Sequence, residues 1–295
     1  MAETAIFHIE GGVGKHIAAS AIIKAYHNNN PETKIIVSSA YPDIYLNNPI
    51  VDKSLKLGNN QYFYRDYIYN KDVEVYGQEP YKQTSHITKK NHLIQTWCDM
   101  IGVSYNNETP SIYLNSREKE VSRNLIQFDT NKPILVFQPF GGPGSPHQQL
   151  PYSWARDIHP DIAQILVNVL SETYNIVHVC YNNHPVLNGC LRIDQHVSKK
   201  TLFGILLYSE KRLLIDSCLQ HAAAALGLPS TVVWNVTKPE IFGYSIHNNV
   251  LPEKTYPEGN ASSYLFDYDI LGVVEDCPYE DYNSIFSIEN ILKNI

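Results

Sequence analysis

Short apolar runs alternate along the chain with segments in which apolar residues recur every third or fourth position, the pattern of strands followed by helices. Residues 5–9 form the first run; Gly11, Gly12 and Gly14 break it, and Ile17, Ala18, Ala21, Ile22 and Ala25 then follow at helical spacing. Residues 34–37 read as a second strand, so the opening predicts a βαβ unit. The tyrosine-dense stretch 61–69 predicts extended chain, and Ile87, Ile94, Trp97, Cys98 and Ile101 predict one long amphipathic helix. Residues 110–114 and the polar stretch 115–132 read as the end of a first half and a connection.

The alternation then restarts. Residues 134–138 predict a strand that ends in the loop PFGGPGSPHQQLPYSW, and Asp157 is placed to cap a helix whose Ile158, Ile162, Ile165, Leu166, Val169 and Leu170 share a face. Residues 176–180, 212–215 and 231–234 are further strand candidates, with helices expected at 199–208 and 217–226 and a short one within 284–295. Two successive alternations of this kind predict an α/β protein with two doubly wound domains.

Composition narrows the partners. The chain has 295 residues, 43% of them apolar, enough for two cores. No apolar run approaches the roughly 20 residues that cross a bilayer, and the first residues lack a signal-peptide pattern, so a cytoplasmic protein is expected. Five scattered cysteines without a C-x-x-C pair indicate neither a disulfide framework nor a zinc finger. The net charge of −7 sits in the tail: residues 1–249 hold 21 acidic and 21 basic side chains, whereas residues 250–295 hold 9 and 2. That balance gives no basic field for nucleic acid.

Two segments carry candidate chemistry. GGVGKHIAAS (11–20) puts glycines between a strand and a helix N-terminus, where backbone N–H groups accept close approach of an anionic ligand; tight strand-to-helix packing is the competing reading. A nucleotide-binding P-loop is excluded, because His16 stands where Ser or Thr must hold magnesium and Glu10 stands where the related partitioning ATPases carry lysine. In LLIDSCLQHAAAALGLPSTVVW (213–234) a strand ends at Asp216, Ser217 is placed to cap the next helix, and His221 lies one turn in. Singly these residues read as a cap and a half-buried histidine; together they converge on one crevice.

The D-x-D triplet Asp267, Tyr268, Asp269 lies in the acidic tail and reads as coincidence; no H-E-x-x-H or G-x-S-x-G occurs. Eight of the 21 tyrosines fall within residues 41–81, placed equally well to stack on a sugar or base and to fill strands.

GGVGKHIAASAIIKAY followed by NNPIVDKSL, and IDSCLQHAAAALGLPSTVVWNVTKPEIFGY, resemble the heptosyltransferases of lipopolysaccharide synthesis, glycosyltransferase family nine. The resemblance implies the GT-B fold, with an acceptor-side Rossmann-like domain at 1–130 and a nucleotide-sugar domain at 131–295, the last helix being a candidate to pack back on the first domain. It also implies inverting transfer from a nucleotide-sugar donor, with no metal and no cofactor. Gly141, Gly142, Ser145, Arg156, Asp216, Ser217 and His221 are the implied donor residues, with Gly12, Gly14 and Lys15 opposite them.

Four departures stand out. The family's Asp after the glycine loop, often assigned as the base, is Lys15; its glycine after Asp-Ser is Cys218; its basic residue before a Trp is missing, leaving Arg156 as a substitute; and its acidic ribose ligand has no match in YNNHP after the 176–180 strand. Lys15 is then a candidate to neutralise phosphate, and Glu10, His16 and Asp43 are the candidate bases. A saccharide of a surface polysaccharide or lipopolysaccharide is the expected acceptor, ahead of a hydroxymethylated base in phage-type DNA; a non-catalytic nucleotide-binding protein is the alternative from another class.

Overall fold

The buried strands are the apolar runs. β1 (Thr4–Ile9) leads through the glycines into α1 (Val13–Asn29), which returns to β2 (Lys34–Ser39). Twelve α1 residues are buried, all round the helix, because α1 is covered on both sides rather than only by its sheet. β3 (Lys53–Lys56), α2 (Phe63–Tyr67), β4 (Val73–Tyr76), α3 (Thr84–Ile87), α4 (Leu93–Met100) and α5 (Ser116–Leu125) complete the first half. The second half holds β5 (Ile134–Phe137), α6 (Pro160–Leu170), β6 (Asn175–Val179), β7 (Leu191–Ile193), α7 (Lys199–Leu207), β8 (Lys211–Ile215), α8 (Cys218–Ala225), β9 (Thr231–Val233), α9 (Pro239–Phe242), β10 (Asn248–Val250) and α10 (Ile288–Lys293). These elements come from a computed structural model, which describes residues 2–58, 60–88, 90–142, 154–194, 196–253, 281 and 285–295.

The strands form two sheets, ordered β3-β2-β1-β4 and β10-β9-β8-β5-β6-β7, and every strand pair is parallel. The second is the six-strand doubly wound order, and the first is its leading four-strand portion. In each, the order reverses beside the first strand, so a crevice opens between β1 and β4 and another between β5 and β8. One continuous apolar core runs from Phe7 and Ile22 in the first half to Leu214 and Ala222 in the second, so α1 and α8 weld the halves together. A separate core under α6 includes Ile162, Leu166 and Ile291.

Several expectations change. Residues 61–69 contain the helix α2, entered through Tyr62 at φ 65°, because no described strand pairs with this solvent-facing stretch. The expected long helix at 87–101 is broken into α3 and α4. His92 caps α4: its Nδ1 accepts from the Ile94 N–H and its Nε2 donates to the Gly243 carbonyl at 2.9 Å. The polar connection 115–132 contains α5, opened by a capping box in which Asn115 and Glu118 satisfy each other's backbone N–H. Asp157 is not the cap of α6; His159 is, and Asp157 accepts the Gly141 N–H at 2.9 Å. The core residue of the last helix, Ile291, packs in the second half. α10 lies on α6, and its end is tied to the second sheet by the Thr231 hydroxyl, which donates to the Asn294 carbonyl at 2.5 Å, and by Lys211, which donates to the Ile295 carbonyl.

Candidate functional site

Both crevices open into one cleft of 940 Å³ between the sheets. From the first half come Gly11, Gly12, Gly14 and Lys15 beyond β1, and Glu79, Tyr81 and Lys82 beyond β4; from the second come Gln138 and Gly142 beyond β5, and Asp216, Ser217 and Cys218 beyond β8. Gly12 is the N-cap of α1 and Ser217 that of α8, and neither helix has a side-chain cap bond. Their first-turn N–H groups and positive dipole ends therefore meet the cleft without a side-chain competitor. The Ser217 hydroxyl instead accepts from the Gln138 amide at 3.3 Å. Gly14 has a clear reason to be glycine, since a Cβ there would lie 2.8 Å from the His221 ring and 3.6 Å from the Cys218 backbone. Gly11, at φ +96°, makes the turn into the helix.

Of the expected donor-side residues, Gly142, Arg156, Asp216, Ser217 and His221 line this cleft, together with Gly12, Gly14 and Lys15 opposite. Ser145 lies outside the described residues, as do Asp267 and Asp269. Gly141 is not on the cleft wall: its N–H serves Asp157 and its carbonyl accepts from Arg156 at 2.6 Å, so it braces the loop. Gly142, at φ +69°, is braced in turn by His184, whose Nε2 donates to its carbonyl at 2.6 Å.

The three candidate bases lie elsewhere. Glu10 points to solvent beside His8, 3.1 Å away. His16 is fully buried, with Nδ1 2.8 Å from the Gly12 carbonyl and Nε2 3.0 Å from that of Ile9; both ring nitrogens are committed and burial pushes its pKa down. Asp43 sits in the 3-10 turn Pro42–Tyr45 and does not reach the cleft wall. The strand-to-helix turn sends Glu10 outward and His16 inward.

Lys15 is on the wall, but its ammonium is not open to a ligand. It donates to Glu79 Oε2 at 2.5 Å and lies 5.6 Å and 5.5 Å from the centres of the Tyr81 and Trp97 rings. Further cations on the wall are Lys82, Arg156 and Lys199. An acidic side chain is present at the carboxyl edge of the second sheet, one strand further out than expected: Asp194 follows β7 and lines the cleft. Burial raises the Asp216 carboxyl, opposed by the nearby Thr237 hydroxyl and the charge of Arg156. Burial also pushes His221 down to about 3, reinforced by His92 and His247, while its Nδ1 pairs with the Tyr244 hydroxyl at 2.8 Å; the ring is neutral near pH 7. Burial raises the Cys218 thiol, so it stays protonated. Tyr41, Tyr81 and Tyr181 give the cleft its aromatic walls, whereas Tyr62, Tyr64 and Tyr69 are exposed.

Neither the family models nor the curated proteins contain a match to this chain. Solved structures do. A family 9 glycosyl transferase from Veillonella parvula superposes with a TM-score of 0.68 at 12% identity, covering 99% of this chain and 95% of that one. The ADP-heptose LPS heptosyltransferase II of E. coli gives 0.63 at 12% identity, over 86% and 91%. The iron-containing dodecameric glycosyltransferase TibC of enterotoxigenic E. coli gives 0.69 at 10% identity, over 99% and 74%. The chain has the GT-B fold of these structures.

Proposed function

We propose that the protein is an inverting, metal-independent glycosyltransferase that moves a sugar from a nucleotide-sugar donor to a saccharide hydroxyl, in the assembly of a surface polysaccharide or lipopolysaccharide. The observation that carries this reading is the meeting of two helix N-termini without side-chain caps, α1 and α8, at the switch points of two parallel sheets. Transfer runs through an oxocarbenium-like transition state and a nucleoside diphosphate departs, so the site must meet growing negative charge. The α8 terminus, Arg156 and Lys199 supply that field in the cleft. Asp216 accepts a hydroxyl of the donor, and Asp194 gives a second carboxylate at the far end for ribose hydroxyls. ADP-heptose is the first donor to test, since it is the one named for the E. coli heptosyltransferase. No described helix is long and apolar enough to cross a membrane.

Asp216→Ala is expected to weaken donor binding by about tenfold to a hundredfold, the equivalent of a hydrogen bond to a charged group of about 1.5–3 kcal/mol. His221→Ala is expected to weaken it as well, by removing the ring from the cleft wall and loosening the α1–α8 contact. Calorimetry with ADP-heptose and a panel of UDP-, ADP- and GDP-hexoses reads both, and unchanged affinity in two folded variants removes the donor assignment. Activity is expected to persist in EDTA. Complete dependence on manganese would reject metal independence and turn attention to Asp267 and Asp269.

A further inference from the structure

An inverting displacement needs a proton acceptor on the side of the anomeric carbon opposite the leaving group. With the nucleotide on the second sheet, as proposed above, that side is the wall built by the first half. Among the described residues, that wall carries a single carboxylate and no imidazole: Glu79, in the turn after β4. The other carboxylates among the described residues of the cleft, Asp194 and Asp216, follow strands of the second sheet and belong to the donor's own side. The His221 ring is pressed against Gly14 and paired with Tyr244.

Glu79 is also held in a fixed orientation. Its Oε1 accepts the Tyr81 N–H at 3.3 Å as the N-cap of the 3-10 turn Pro80–Lys82, and its Oε2 accepts from Lys15 at 2.5 Å. Each oxygen keeps one lone pair, and the side chain stays 37% exposed while Lys15 is 7% exposed. Lys15 reaches this contact from the first turn of α1, 64 residues away in sequence, steadied by Tyr81 and Trp97. A buried lysine anchoring a half-exposed carboxylate at the mouth of the acceptor wall is the arrangement of a positioned base.

We propose that Glu79 is the general base of the transfer and that Lys15 is its positioning residue. The inference rests on the glycosyltransferase reading. As the acceptor oxygen donates its electron pair to the anomeric carbon, its proton passes to Glu79. The bond from the anomeric carbon to the phosphate oxygen breaks, and its electron pair leaves with the nucleoside diphosphate. Glu79 then releases the proton to water.

Two nucleophiles separate this role from a structural strut. Water must lose a proton to become a product hydroxyl, whereas azide is already an anion and needs no base. Turnover of bound ADP-heptose, or of whichever donor of the panel binds, would be measured with each nucleophile for wild type, Glu79→Gln, Glu79→Asp and Lys15→Met, with folding followed by thermal melting and donor affinity by calorimetry. Glu79→Gln is expected to slow hydrolysis by about 10²- to 10⁴-fold, with donor affinity unchanged and glycosyl azide formation preserved. Lys15→Met is expected to slow hydrolysis about tenfold, also sparing azide. If Glu79→Gln fails to fold, Glu79→Asp, with its carboxylate drawn back by one methylene, is expected to show the same split at smaller size. Hydrolysis within threefold of wild type in Glu79→Gln overturns the assignment, as does an equal loss with water and azide. A wild type that binds donors but turns none over with water, azide or a panel of saccharide acceptors overturns the enzyme reading itself, an outcome distinct from both.

Discussion

Between pH 6.5 and 4.5 the protein is expected to lose most of its stability, with no comparable change between pH 6.5 and 8. Buried histidines set this, led by three. Burial holds His178 and His221 at about 3 and His86 at about 4, against an ordinary value of 6.5. Arg192 and His184 add to the effect on His178; at His86 the charge of Glu79 opposes it. Because the folded values lie below the unfolded one, the unfolded chain takes up protons that the folded chain refuses, and stability falls as pH drops through the interval between them. At pH 4.5 each group is about two pH units below its unfolded value, worth about 2–3 kcal/mol apiece. Three such terms approach the whole stability of an ordinary domain, about 5–15 kcal/mol. His178 is the plainest case: it is fully buried in β6 at an edge contact with Phe140, and neither ring nitrogen has a partner among the described residues. His178→Leu is therefore expected to raise stability at pH 7 by about 1–3 kcal/mol and to flatten the acid limb. Urea titrations at half-unit pH steps check both, and a flat wild-type profile from 6.5 to 4.5 would contradict the account.

What the sequence revealed and what it hid follow the same line in the fold. The inner strands β1, β2, β5, β6, β8 and β9 are covered on both faces, read as continuous apolar runs, and fall within two residues of their expected bounds. The strands that escaped notice, β3, β4, β7 and β10, are the four sheet edges. KSLK, VEVY, LRI and NNV are short, polar or half exposed, as edges must be to resist pairing with other chains. The site divides accordingly. Gly12, Gly14, Asp216 and Ser217 follow inner strands and were visible; Glu79 and Asp194 follow edge strands and were not. The helix α5 was hidden differently, since its exposed face is so polar that the segment reads as a connection. Its buried side carries Ser122, whose hydroxyl donates to the Thr201 carbonyl at 2.8 Å across the junction of the halves.

Gly14→Ala is expected to cost about 1–3 kcal/mol of stability and to lower transfer at least tenfold, although no polar group is lost. The new Cβ would sit 2.8 Å from His221 Cδ2 and 3.3 Å from Nε2. That ring has no room to retreat, because its Nδ1 is fixed to Tyr244 and the Tyr244 ring meets it edge-on at 5.5 Å. The strain is relieved only if α1 and α8 separate, which draws apart the two helix ends that define the cleft and shifts Lys15, the next residue along α1, from Glu79. Truncating the obstacle should reverse the packing part of the effect. In Gly14→Ala/His221→Ala the methyl group has space, so the double variant is expected to be more stable than the sum of the single changes by about 1–2 kcal/mol, the coupling of residues in direct contact. Strict additivity in denaturant titrations would show that α1 and α8 do not press on each other at Gly14. Donor affinity in the double variant should remain low, because restored packing does not replace the His221 side chain on the cleft wall.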